Sequence, residues 1–466
     1  MIRPLHLLVC GAVLAGCAQV PTPSPVKPGV PVAYAPIAEP GNGPRATEIA
    51  WRDFFGDPRL LGLIEQALEN NRDLRAAVAR IDEAAALRRI ARADRVPTID
   101  ANASASFGNG QGAQGGSGQS GQSGGGEQYR VGLGLSAFEL DFWGRVRNLE
   151  VAALAEYLAT VEAQRAFQLS LVADLADAYL TGRELEERRR LALDAIASRE
   201  RSLYLARRLF EEGEGSDLEV QQEIALLTDA QSQLADIDNQ SAAAANLLQL
   251  LVGAPPSPDL PGGLPLDDQR IVETVSAGLP SELLLARPDI LEAEQTLRAS
   301  EANVAAARAA LFPTISLTAA LGFASPELSR LFSSESDYWS VSSSLTQPLF
   351  DAGRRRAQIA AEDAGRRVAL AEYERTVQTA FREVSDALAA RRFLAEQRRA
   401  LAASRAAQGR RLELAQLRFD VGEVAAVDVL EARRELFSAD QAIATLRAEE
   451  LRNAVALYIA LGGGLR

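Results

Sequence analysis

Histidine, cysteine, methionine and lysine are nearly absent from this 466-residue sequence. The one histidine is His6, the two cysteines are Cys10 and Cys17, the one methionine is Met1, and Lys27 is the only lysine. A chain cleaved after residue 16 would hold no histidine and one thiol. That excludes Ser-His-Asp and Cys-His nucleophiles, zinc sites of His and Cys, and haem on a histidine ligand. No phosphate-loop or dinucleotide motif is present either, so an enzyme is the disfavoured class and no metal site is expected. Lysine's scarcity leaves arginine as the basic residue, and the formal net charge of -13 argues against a nucleic-acid partner, which requires a concentrated basic face. With 47% hydrophobic and 24% charged residues, the composition is that of a folded protein.

Long apolar runs are also missing. Leu5 to Leu14 is apolar over about ten residues, too short to span a bilayer, and follows a positive start, so 1–16 reads as a signal peptide. The run ends in Leu14-Ala15-Gly16-Cys17, which resembles the bacterial lipobox and predicts acylation of Cys17. Ala18 stands where inner-membrane lipoproteins commonly carry Asp, so the resemblance implies the outer membrane. The covalent lipid on Cys17 is the only non-protein group expected. Residues 17–50 then form a lipidated tether, rich in proline and extended.

What the sequence does have is a repeat. A shift of 209 superposes Gly144-Arg145 on Gly353-Arg354, Asp177-Ala178 on Asp386-Ala387, and Phe210, Gly213 and Glu214 on Phe419, Gly422 and Glu423. A shift of 216 brings Pro97-Thr98-Ile99 onto Pro313-Thr314-Ile315. The first repeat, 51–254, is read as a helix over 57–94, strands over 98–107 and 129–142, and helices over 144–212 and 217–251. A linker over 255–287 leads to the second repeat, 288–466, with a helix over 288–311, strands over 313–323 and 338–350, and helices over 353–420 and 426–461. No proline interrupts the chain between Pro97 and Pro255 or after Pro348, so the later helices can be long. The two longest would each extend roughly 100 Å, with apolar residues at coiled-coil spacing, as in Leu370, Tyr373, Val377, Phe381, Val384 and Leu388.

The four strand segments switch to a period of two. Ile99, Ala101, Ala103 and Ala105 alternate with Asp100, Asn102, Ser104 and Ser106; Tyr129, Val131, Leu133 and Leu135 alternate with Arg130, Gly132, Gly134 and Ser136, with a phase shift near Phe138. Ile315, Leu317, Ala319 and Leu321, then Trp339, Val341 and Leu345, repeat the pattern against Ser, Thr and Gly. With aromatics at the segment ends, this is the signature of a transmembrane β-barrel. An exposed sheet on a soluble core shows the same alternation. Four strands cannot close in lipid, so a barrel must be shared: two copies give eight strands, and three give twelve with room for a pore.

Several motifs together resemble the outer-membrane efflux protein family (TolC-like), in its lipoprotein branch that pairs with resistance-nodulation-division (RND) pumps. They are Trp51-Arg52-Asp53-Phe54-Phe55-Gly56-Asp57-Pro58, Arg287-Pro288-Asp289-Ile290, the Phe-Pro-Thr-Ile of 312–315, and Arg418-Phe419 to Gly422 with Asp428-Val429-Leu430-Glu431-Ala432. The resemblance implies a mainly α protein with membrane β-strands, the tandem-repeat protomer of a homotrimer. Four strands per chain would form a 12-stranded β-barrel in outer-membrane lipid, and the coiled-coil helices a periplasmic α-barrel. It implies a passive efflux duct in the outer membrane of a Gram-negative bacterium, extending into the periplasm and fed by an inner-membrane RND pump through a periplasmic adaptor. The helix-turn-helix tips at Gly213-Glu214-Gly215 and Gly422-Glu423 are the expected adaptor contacts. Val427 and Glu431, with Arg434, Glu219 and Gln222, are the expected periplasmic constriction. The linker and carboxy-terminal tail would lie in an equatorial belt. The alternative is a periplasmic helical-hairpin lipoprotein, adaptor or structural, without a pore.

Overall fold

The computed structural model describes residues 44–107, 127–272, 275 and 287–464. The signal peptide, Cys17, the tether up to residue 43 and linker residues 273, 274 and 276–286 lie outside these residues, whereas the end of the expected tether is not extended: Ala46–Glu48 form a short 3-10 turn, and Ala46 and Ile49 are buried in the main core. A helical turn, Trp51–Phe54, precedes helix α1 (Pro58–Asn70), which starts on a built cap: Asp57 accepts the Arg59 N–H at 2.9 Å and Pro58 occupies the first turn.

The single opening helix expected over 57–94 is two helices, α1 and α2 (Arg72–Ala93). Asn71 separates them with φ -57 and ψ 130. It is almost fully buried; its Oδ1 accepts the Leu74 N–H at 2.8 Å and its Nδ2 donates to the Leu251 carbonyl at 2.8 Å. An asparagine that caps the next turn while holding a distant carbonyl stabilises the break better than a continued helix would.

Strands β1 (Ile99–Ser106) and β2 (Gln128–Glu139) are followed by helix α3 (Arg145–Glu211) of 67 residues and helix α4 (Asp217–Val252). The second half repeats the order with α5 (Pro288–Ala309), β3 (Thr314–Ser325), β4 (Asp337–Thr346), α6 (Arg354–Asp420), also 67 residues, and α7 (Ala426–Ala460). Positive-φ glycines mark the repeat: Gly144 and Gly353, Gly213 and Gly422, and Gly253 and Gly462 all have φ between 77 and 85.

Strands β2 and β4 stop short of the expected 142 and 350. After Leu140 donates to the Ile315 carbonyl at 2.8 Å, Asp141 turns to accept the Arg147 N–H at the start of α3. Trp143 leaves the ladder, stacks on Phe312 and donates its indole N–H to the Pro313 carbonyl at 2.8 Å. Strand β4 ends just before Pro348, which has no N–H to offer a ladder.

The chain divides into two compact units that cut across the repeats. One holds Asp82–Ala159 and Glu294–Glu372, with all four strands; the other holds the described parts of Lys27–Ile81, Thr160–Ala293 and Tyr373–Arg466. The second unit has the main core, where Phe54 stacks on Tyr458 at 3.9 Å between ring centroids. Tyr458 donates its hydroxyl to the Ile49 carbonyl at 2.6 Å, and Tyr179 donates to Asp57 Oδ2, also at 2.6 Å. Burial pushes both phenols well above the ordinary tyrosine range. The described start of the linker packs here: Leu264 N–H donates to Asp57 at 2.9 Å, Leu266 and Ile271 are buried, and they share the core with Tyr458 and Leu461 near the carboxy terminus.

Polar contacts then set the register of α3 against α7. Glu184, nearly buried, accepts from Arg452 at 2.6 Å and from Thr445 at 2.9 Å, while Arg188 and Gln441 exchange hydrogen bonds at 2.8 and 3.1 Å. A slip by one helical turn would strand these groups, so the ladder selects one pairing of the repeats. At Arg287 the guanidinium reaches Asp289 at 2.7 and 3.0 Å, Glu383 at 2.8 Å and the Ala460 carbonyl at 3.1 Å. It thereby ties the start of α5 to α6 and to the end of α7.

Candidate membrane face and hairpin tips

The sheet is antiparallel in the order β1-β2-β3-β4, with β1 and β4 at its edges. Its register decides whether the alternating patterns add up. Ala101 pairs with Leu133, Leu133 with Leu321, and Leu321 with Trp339. The next row is Ile99, Leu135, Ala319 and Val341. Apolar residues of all four strands therefore share one face. The other face carries Asp100, Gly134, Ala320 and Ser340, then Asn102, Gly132, Gly322 and Tyr338.

The register shift between Leu135 and Phe138 keeps Phe138 opposite Leu317, on the apolar side. The extra residue, Ala137, has φ 46, and its N–H finds Thr318 Oγ1 at 3.2 Å. A bulge thus carries the sequence phase shift without turning the strand over. Gly132 and Gly322 face each other at close quarters: a Cβ on Gly322 would lie 2.3 Å from the Val131 carbonyl oxygen.

The apolar face is bare, with Leu321 59% and Trp339 77% exposed. Rings gather at both ends of the strands, Phe107 with Tyr129 and Phe323 with Phe332 at one end, Trp143 with Phe312 at the other. An apolar band between aromatic girdles, backed by a small polar face, suits a strand wall with lipid outside and water inside. Among the described residues, no helix is long and apolar enough to cross a membrane.

The helix-turn-helix tips belong to the second unit. At the first, Gly213 has φ 80 and donates to Phe210 O at 3.1 Å, while Glu214 and Gly215 both donate to Leu209 O. Ser216 and Glu219 complete a reciprocal capping box: Glu219 N–H donates to Ser216 Oγ at 3.3 Å and Ser216 N–H to Glu219 Oε2 at 3.0 Å. At the second tip, Gly422 has φ 77 and donates to Phe419 O at 2.9 Å, and Glu423 donates to Arg418 O while its carboxylate meets Arg418 Nε at 3.2 Å. Here Ala425 is the N-cap and provides no side-chain acceptor.

Val427, Glu431 and Arg434 are all exposed, at i, i+4 and i+7, so they line one stripe of α7, while Val429 and Ala432 are buried behind them. The structure does not join Glu431 to Arg434. Glu431 meets Arg411 of α6 at 3.2 Å, and Arg434 meets its neighbour Glu435, also at 3.2 Å. Glu219 is engaged in its own helix cap, and Gln222 is half-buried on α4.

Sequence reasoning missed the polar cluster behind this stripe. Arg433 donates to Ser202 at 2.6 Å and to Gln416 at 3.0 Å, while Arg199 donates to the Leu226 carbonyl and lies 5.7 Å from the centre of the Phe437 ring. Glu223 is 7% exposed, and its Oε2 has no hydrogen-bond partner among the described residues. Desolvation raises its carboxyl above the usual range, against the pull of Arg433 and Arg199. A polar residue falling into an otherwise apolar helix stripe was the available signal, but charged residues are too frequent on these helices for it to stand out.

The sequence matches the outer membrane efflux protein family over residues 63–254 and 279–463. It is 42% identical over 413 residues to the solvent efflux pump outer membrane protein SrpC of Pseudomonas putida, covering 89% of this chain and 87% of that protein. It is 38% identical over 463 residues to the outer membrane protein OprJ of Pseudomonas aeruginosa, covering 98% and 95%. The fold is similar to the open state of the Neisseria gonorrhoeae MtrE outer membrane channel, with a TM-score of 0.87, 37% identity and coverage of 97% of this chain and 99% of that one. These likenesses favour the channel over the poreless periplasmic hairpin. Joined to an apolar, in-register strand face, they show that this chain belongs to the outer membrane efflux protein family, as a TolC-like protomer in the outer membrane of Gram-negative bacteria and a transport duct of an efflux pump rather than an enzyme.

Proposed function

We propose that three copies close their sheets into one twelve-stranded barrel through the outer membrane and gather their long helices into a periplasmic conduit. The observation that carries this reading is the register: one face apolar across all four strands, with edges at β1 and β4 that lipid cannot hydrogen-bond. Two copies would give eight strands, whose interior side chains fill; three leave an aqueous lumen.

In this reading the duct breaks no covalent bond. An inner-membrane RND pump supplies the energy, and a periplasmic adaptor engages the tips at Gly213-Glu214-Gly215 and Gly422-Glu423. Acylation of Cys17 adds a second hold on outer-membrane lipid. Val427 and Glu431 narrow the periplasmic end, with Arg411 rather than Arg434 as the in-chain counter-ion that moderates the carboxylate ring. Glu219 supports this end through its cap rather than as a pairing partner.

Detergent extraction of outer membranes followed by native mass measurement tests the assembly. Three chains per particle are expected, together with ion conductance in planar bilayers. A monomer that stays soluble once its lipid is removed would overturn the reading.

A further inference from the structure

The polar face of the sheet carries few charges. Glu139 is neutralised by Arg145, with hydrogen bonds of 2.5 and 2.9 Å. That leaves Arg130 toward the β1–β2 connection and Asp100 toward the helices. Arg130 pairs in register with Ser104 on one side and Ala324 on the other, and its Nη2 donates to the neutral amide of Gln128 at 3.1 Å. No carboxylate pairs with it among the described residues. The connection 108–126 contains no charged residue in its sequence. Of the nearby acids, Glu327 pairs with Arg330, Asp337 sits opposite Phe323 in the apolar register, and Glu127 keeps its charge but accepts from the hydroxyl of Tyr129, which also lies in the apolar register. Only Glu335 of the β3–β4 connection is left as a further acid in that stretch.

We propose that Arg130 sets the charge preference of the duct's outer section, favouring anionic over cationic solutes there. The proposal rests on the trimeric channel reading, which turns one residue into a ring. Arg130 and Asp100 lie four residue levels apart, since Asp100 pairs with Gly134, so at about 3.3 Å per residue the two rings are about 13 Å apart. That exceeds the Debye length of about 8 Å in 0.15 M salt, so the Asp100 ring is largely screened from the Arg130 ring there, whereas at 0.01 M, where the Debye length is about 30 Å, the two overlap. Twelve strands about 4.8 Å apart and tilted about 40° give a backbone radius of about 12 Å, which brings inward-reaching guanidiniums to about 7 Å from the axis. Three such charges alter the occupancy of a monovalent ion on the axis about three-fold in 0.15 M salt and about ten-fold in 0.01 M.

The test is the reversal potential of the purified full-length protein in planar bilayers under a KCl gradient. Arg130→Gln should raise the cation-to-anion permeability ratio about ten-fold at 0.15 M, the square of the single-ion factor, and more at 0.01 M. Arg130→Lys should keep the original ratio, and Asp100→Asn should move it the other way. If Arg130→Gln does not insert, Ser104→Glu, which sets a carboxylate directly across from Arg130, should give the same shift. An unchanged ratio in the conducting Gln or Glu variant, or a Lys variant that behaves like Gln, overturns the proposal. A wild-type protein that does not conduct overturns the channel reading, and this inference with it.

Discussion

Leu133 offers a direct test of the membrane face. It stands in the row Ala101, Leu133, Leu321 and Trp339 and is 47% exposed in the protomer, so its side chain has room but only apolar neighbours across the strands. An arginine there would meet hydrocarbon, at a depth-dependent cost of about 2 to 4 kcal/mol, or roughly thirty-fold to a thousand-fold in the assembly equilibrium of each chain. Ser342→Arg is the matched control, because Ser342 pairs with Thr318 on the polar face, where a guanidinium stays in water. The assay is the fraction of protein recovered as detergent-stable oligomer from outer membranes at equal expression. Leu133→Arg should deplete it, whereas Ser342→Arg should preserve it and alter conductance. Equal recovery of the two variants would mean that both faces meet water and that the sheet does not span the bilayer.

Cys17→Ser should abolish acylation yet leave the protein in the membrane fraction, because a closed barrel outweighs one lipid anchor; complete release to the periplasm would contradict that ranking. Val427→Ala combined with Glu431→Ala should raise single-channel conductance or weaken cation selectivity, and no change in either would move the constriction elsewhere. Glu223→Gln should raise the midpoint of thermal unfolding at neutral pH, because burial makes the charged form unfavourable in the fold; the gain should shrink as acid protonates the wild-type carboxyl through its raised range. Gly422→Ala should cost about 1 to 2 kcal/mol through its left-handed backbone alone, since no neighbouring atom lies within 4 Å of the added Cβ, and hydrogen exchange at the second tip would report it.

The repeat, the order of elements, the alternation of the strands and the tight reversals at Gly213 and Gly422 were legible in the sequence, because each depends on residues close in the chain. Apolar period, proline placement and glycine at a turn act locally and leave local marks. The family resemblance was legible for a different reason: motifs such as Arg287-Pro288-Asp289 carry contacts that the chain order alone does not reveal. Only the tertiary structure could show that this arginine also holds Glu383 and the Ala460 carbonyl. The same holds for Asn71, whose break of the opening helix depends on Leu251, 180 residues away. Strand register, too, is a pairwise property: any one strand alternates, but only the pairing of β2 with β3 across the bulge puts Phe138 and Leu317 on the same side. The contacts of Glu431 and Glu219 within the chain were not legible either, since a charged side chain selects its partner by distance in space. Glu431 meets Arg411 on the neighbouring helix, and Glu219 accepts from the Ser216 backbone.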